Sequence, residues 1–76
     1  MNQRITFPEW VDREEQAGRP KATLAAELQI EVASLYRYLS KDRIPSKAVM
    51  DRIIKASSGL VDITWFYVPK TEGAAA

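Results

Sequence analysis

The chain contains neither cysteine nor histidine. Without cysteine there are no disulfides and no thiol nucleophile, and without either residue zinc fingers and histidine-based acid–base catalysis are excluded. The carboxylates are scattered along the chain, so no metal and no other cofactor is expected. The Ser and Asp residues show no spacing that would activate a nucleophile, which makes an enzyme the least expected class. No apolar run reaches the ~18 residues of a membrane span. The first residues also lack the charged-then-apolar order of a signal peptide. The chain is therefore read as cytoplasmic, with no membrane partner and no metal.

Seventy-six residues are read as one domain. A core this small yields only a few kcal/mol of net stability unless something supplements it, and dimerisation is the expected supplement. The formal net charge is only +1, but its distribution is uneven. From Glu9 to Glu15 four acids (Glu9, Asp12, Glu14, Glu15) face one base (Arg13), a balance of −3. From Arg37 to Lys47 four bases (Arg37, Lys41, Arg43, Lys47) face one acid (Asp42), a balance of +3, and Arg19 and Lys21 lie upstream. Such a dipolar molecule suits phosphates on its basic side, each neutralised phosphate adding a salt-dependent increment to binding. A solvated basic loop is the plainer reading of the same residues.

Residues 21–40 carry the most information. Leu24, Ala25 and Leu28 share one helical face, and Leu35, Tyr38 and Leu39 share another eleven residues later. Two β-branched residues, Ile30 and Val32, flank Glu31 between them, and the spacing predicts two short helices hinged over a tight turn. Ile30 plugs the angle, Glu31 stands at the second N-cap, and Ala25 is small where the helices cross. An amphipathic hairpin of this kind can be purely structural, so the exposed positions decide. Val32, Ala33, Tyr36, Arg37 and Ser40 point away from the apolar face, and none of them is acidic. A merely solvated face mixes Glu with Lys. Here small apolar, aromatic, hydroxyl and guanidinium groups suit thymine methyls, base edges and phosphates.

The run Leu24, Ala25, Ala26, Glu27, Leu28, Gln29, Ile30, followed by Leu35, Tyr38 and Leu39 and by the basic stretch Lys41 to Pro45, resembles the Cro and repressor type of helix-turn-helix regulators of phages and mobile elements. The resemblance covers about residues 6–66. It departs at Gln29, where the family has a turn glycine, and at Glu31, where it has Ser or Thr; a carboxylate there caps less well and is repelled by phosphate unless it accepts from cytosine. The resemblance implies a repressor-like, all-α or mostly α bundle of about five helices that binds a pseudo-palindromic DNA operator as a homodimer. A recognition helix over 32–40 would place Val32, Ala33, Tyr36 and Arg37 against bases. Lys21, Thr23, Ser40, Lys41, Arg43, Ser46 and Lys47 would contact phosphates, although structural capping is the plainer role for Ser46.

The remaining residues supply the scaffold. Thr6 with Glu9 has capping-box spacing, Pro8 suits an early helical position, and Gly18 is a C-terminal stop, so a first helix is expected over 7–17. Its Phe7, Trp10 and Val11 are read as core; an exposed Trp10 would instead mark a partner surface. Val49, Met50, Ile53 and Ile54 predict a fourth helix, starting after Ser46 and ending near residues 57–59. Residues 60–68, LVDITWFYV, are open to two readings. Asp62 can cap a short final helix, whereas the β-branched and aromatic residues favour a strand that pairs with Arg4 to Thr6 or with a second subunit. Trp65, Phe66, Tyr67 and Val68 are assigned to a homodimer interface, the alternative being that they complete the monomer core. Residues 69–76 are read as a disordered tail. A protein-interaction module, such as an antitoxin or adaptor docking through the aromatic C-terminal segment, is the second functional reading.

Overall fold

The computed structural model describes residues 3–68; the expected tail over 69–76 lies outside them. The chain forms a small all-α bundle of four helices, α1 (Phe7–Gln16), α2 (Lys21–Leu28), α3 (Val32–Leu39) and α4 (Lys47–Ser57), followed by a 3₁₀ turn over Ile63–Tyr67. Helix α2 packs against the other three. Among the described residues no helix is long and apolar enough to cross a membrane.

The helix starts follow the sequence signals. Thr6 and Glu9 form the full capping box, with the Glu9 N–H donating to Thr6 Oγ1 and the Thr6 N–H donating to Glu9 Oε1 at 3.1 Å. Ser46 caps α4 by accepting from the Val49 N–H. The two helices of the hairpin differ. Pro20 and Glu31 stand at the N-caps of α2 and α3, and neither makes a side-chain capping bond.

All four helices end in one way. The residue after the last turn enters the left-handed region and its N–H reaches back three residues, while the next N–H reaches back five, the closure known as the Schellman motif. The left-handed residues are Gly18, Gln29, Lys41 and Ser58. The five-residue bonds are Arg19 to Glu14, Ile30 to Ala25, Asp42 to Arg37 and Gly59 to Ile54, all 2.8–2.9 Å between N and O. Only the first of the four closures places glycine at that left-handed position, Gly59 following it in the last, so three side chains hold a conformation that costs on the order of 1 kcal/mol each.

The core runs through all elements. Phe7, Leu24, Leu28, Leu35 and Ile53 are fully buried, joined by Ile5, Trp10, Val11, Ala25, Tyr38, Val49, Met50, Val61 and Phe66. Trp10 is thus a core residue. Ile54, expected on the buried stripe of α4, lies at its exposed edge, because Val49, Met50, Ile53 and Ser57 take the inward face.

Residues 60–68 form neither a strand nor an α-helix. Ile5 pairs in parallel with this segment through single bonds to Leu60 and from Asp62, both 2.9 Å, making an isolated bridge to Val61. Asp62 then accepts from the Thr64 N–H and starts the 3₁₀ turn. The turn drives Phe66 inward, to 3% exposure, with its ring 5.1 Å from that of Phe7. This corrects the assignment of Phe66 to a dimer interface: the ring is already covered within one chain.

Truncating this ring should be decisive for folding. Phe66→Ala is expected to cost about 3–5 kcal/mol, comparable with the whole stability of a domain this size, and circular dichroism at 25 °C should show an unfolded or largely unfolded chain. Gln29→Gly should act the other way, raising stability by ~1 kcal/mol through a higher urea midpoint at unchanged slope. A lower midpoint would show that Gln29 makes a compensating interaction.

Candidate functional site

The hairpin α2–α3 is closed by only Gln29, Ile30 and Glu31. Gln29 adopts φ 59° and ψ 43°, the left-handed conformation a glycine would provide. Ile30 packs against the core beneath the turn, and Ala25 is buried. From α4, the Arg52 guanidinium donates to the Leu28 carbonyl at 3.4 Å, placing a cation at the C-terminal end of α2, where the helix dipole favours it.

Leu35 and Tyr38 bury the inner face of α3, with Leu39 packed beside them, and this leaves Val32, Ala33, Tyr36, Arg37 and Ser40 outward. Tyr36 is 54% exposed, a large area for an aromatic ring. Arg37 makes no ion pair or side-chain hydrogen bond among the described residues, so its five donors face solvent. Glu31 is exposed at the start of the same helix.

The residues expected at phosphates fall into two groups. Thr23 and Arg43 are exposed and have no side-chain partner among the described residues. Lys47 is nearly as open: its side chain is 90% exposed, and its 3.6 Å contact to Asp51 is a surface pair of little energetic weight. The others are engaged within the chain. Ser46 caps α4. The Ser40 hydroxyl lies 2.9 Å from an Asp42 oxygen and 3.2 Å from the Arg37 carbonyl. The Lys41 ammonium donates to the Val68 carbonyl at 2.7 Å and lies 4.3 Å from the centroid of the Trp65 ring. Lys41 therefore ties the end of α3 to the C-terminal segment. Lys21 lies 3.0 Å from both Glu15 oxygens, and its ammonium is 5.7 Å from the centroid of the Tyr36 ring. The Glu15 hydrogen bond, with Coulombic help from the same carboxylate, raises the Lys21 pKa above the ordinary lysine value.

The charge asymmetry along the chain is partly cancelled in space. Arg19 pairs with Glu14 at 3.3 Å and with Glu27, and Lys21 pairs with Glu15, so the bases of the α1–α2 connector meet acids of α1 and α2. These partners were not legible in the sequence: Glu15–Lys21 spans the connector and Arg19–Glu27 runs from the connector into α2, so neither spacing lies within one helix.

Of the four residues assigned to a subunit interface, Trp65 is half-buried beneath Lys41, while Tyr67 and Val68 are 62% and 54% exposed. The Tyr67 hydroxyl reaches Met50 Sδ at 3.7 Å. Tyr67 and Val68 thus retain most of the surface that a second subunit would cover. Comparison of the chain with protein-family models, curated proteins and solved structures found no match.

The Asp62 cap that shapes this segment is sensitive to acid. Its carboxyl accepts from the Thr64 hydroxyl at 2.6 Å and from the Thr64 N–H at 3.0 Å, which together hold its pKa below the ordinary aspartate value. A lowered folded-state pKa stabilises the fold above the unfolded value, and that contribution disappears as pH falls through the folded one. Thermal melts between about pH 6 and about pH 2 should show a loss of stability on the acid side that is smaller in Asp62→Asn. Identical acid limbs would mean that the cap contributes nothing.

Proposed function

We propose that this chain is a sequence-specific regulator that binds double-stranded DNA in the manner of Cro and repressor proteins, with α3 in the major groove. The observation that carries the reading is the outward face of α3. It stands on a tightly closed hairpin, has no acid among its outward residues, and presents Tyr36 and Arg37 with no structural task of sufficient size to explain their exposure. Val32 and Ala33 suit thymine methyls, Arg37 suits the paired acceptors of guanine, and Tyr36 offers both a ring and a hydroxyl.

Thr23, Arg43 and Lys47 carry the phosphate contacts in this reading, since their polar ends remain available. Lys41 and Ser40 contribute only if their intramolecular bonds are exchanged. Each chain carries one α3, and symmetric half-sites lie about 34 Å apart, so two copies are required. The exposed pair Tyr67 and Val68 supports a homodimer through the C-terminal segment. Occlusion or recruitment at a promoter is the mechanism that follows, within the cytoplasm.

Selection from a randomised duplex pool at two salt concentrations, followed by sequencing of the bound fraction, tests the proposal. An enriched inverted repeat with half-sites about one turn apart is expected. Arg37→Ala should relax preference at one base pair per half-site, worth about 1–3 kcal/mol. Arg43→Ala should instead weaken all sequences alike and reduce the slope of log K against log salt by about 0.9 per chain. Equal losses on every sequence for both variants would remove Arg37 from base readout. Binding without enrichment would indicate an accessory factor that grips only phosphates, and no binding at low salt would favour a protein-interaction module.

A further inference from the structure

Lys21 is the first residue of α2, a helix whose N-cap is Pro20 and which has no side-chain cap. Its ammonium is 5.7 Å from the ring centroid of Tyr36, on the outward face of α3, so it stands at the margin of the surface proposed to read bases. A cation in that position is where a flanking phosphate would be held. The position is already filled: Glu15 at the far end of α1 offers both carboxylate oxygens to the ammonium at 3.0 Å. The pair is more sheltered than an ordinary surface bridge, with side chains 26% and 35% exposed. Glu9 and Asp12 line the same open groove between α1 and the start of α2, which discourages other anions from approaching Lys21 from that side.

We propose that Glu15 is a resident stand-in for DNA phosphate, masking Lys21 in the free protein and thereby setting how strongly the protein distinguishes its operator from unrelated DNA. The inference rests on the DNA-binding reading above. An unpaired lysine adds to binding on any duplex by displacing condensed counterions. A lysine whose counterion is an internal carboxylate adds nothing until the two separate. In a loosely docked, sequence-independent complex no phosphate is held close enough to displace Glu15, and Lys21 stays silent. When α3 seats on its operator, the adjoining phosphate is brought to the ammonium and exchanges with the carboxylate. Glu15 therefore suppresses background affinity more than operator affinity.

The test is a comparison of wild type, Glu15→Gln, Lys21→Ala and the double variant, each titrated at several salt concentrations against the duplex enriched by selection and against one of unrelated sequence. Glu15→Gln loses only a partly exposed ion pair and keeps the side-chain volume, and circular dichroism verifies its fold. The expected result is a ~1.5- to 5-fold gain in affinity for the unrelated duplex, a salt slope there steeper by about 0.9, and a smaller gain on the enriched duplex. In the Lys21→Ala background the gain should vanish, because the carboxylate then has nothing to mask. A gain that persists without Lys21 would reflect general removal of negative charge and would overturn the proposal. Unchanged affinity and slope in Glu15→Gln, with wild type still binding both duplexes, would overturn it while leaving the DNA-binding reading intact. If wild type bound neither duplex, both would fall together.

Discussion

The geometry of the molecule depends most on how its helices stop. Each of the four ends in the same double back-bond around a left-handed residue, and this sets the direction in which the next element leaves. At Gln29 the consequence is largest. Its left-handed backbone lets the chain leave α2 and start α3 only three residues later, with Ile30 turned under the hairpin against the core. Leu28 and Leu35 are then both fully buried, and the opposite side of α3 must face outward. A non-glycine residue can hold this conformation because neighbouring contacts over-determine it. The Ile30 N–H is bonded to Ala25, and Arg52 reaches from α4 to the Leu28 carbonyl, so relaxing Gln29 would break contacts on two helices, α2 and α4.

A second constraint comes from size. A chain this short has few large side chains to spend on a core, and it draws on both ends of its described length. Ile5 pairs with the 60–62 segment, the Phe7 and Phe66 rings pack tilted at 5.1 Å, and the Phe7 and Trp10 rings lie 5.9 Å apart. Phe66 is thereby consumed within one chain, which leaves Tyr67 and Val68 as the most exposed apolar side chains of residues 65–68. Lys41 links this closure to the hairpin, because its backbone ends α3 while its ammonium holds Trp65 and the Val68 carbonyl. The end of α3 and the proposed subunit surface are thus parts of one connected unit.

Features governed by local rules were legible in the sequence. The Thr6–Glu9 box, the Ser46 cap and the two faces of α3 each follow from spacing within one helix, where 3.6 residues per turn fixes what shares a side. Residues 60–68 were harder, because their β-branched and aromatic side chains describe a preference that burial can override. The observed bridge and 3₁₀ turn combine parts of both expectations: pairing with Ile5 satisfies one stretch, and the Asp62–Thr64 bonds redirect the chain before a strand can continue. The polar partners of the candidate site were illegible for a different reason. Lys41 meets a carbonyl 27 residues away, and Lys21 meets Glu15 across a connector, so no periodicity announces either contact.

Those hidden pairings change the meaning of the chain's small net charge. A total of +1 could describe a surface with charges evenly mixed or one with opposed signs segregated. The structure shows a third arrangement, in which Arg19 and Lys21, at the entry to α2, are matched to Glu14, Glu15 and Glu27, while Arg37 and Arg43 have no such partner among the described residues. At physiological salt the Debye length is about 8 Å, so an approaching polyanion senses these groups individually rather than as a net dipole. Arg37 and Arg43 thus offer unmatched guanidinium groups on and just beyond α3. The matched lysine beside Tyr36 responds only to an anion held close enough to compete with its carboxylate. On the proposed DNA-binding reading, a protein built this way gains little from charge at a distance and depends on close docking, which is the condition under which the side chains of α3 would discriminate between sequences.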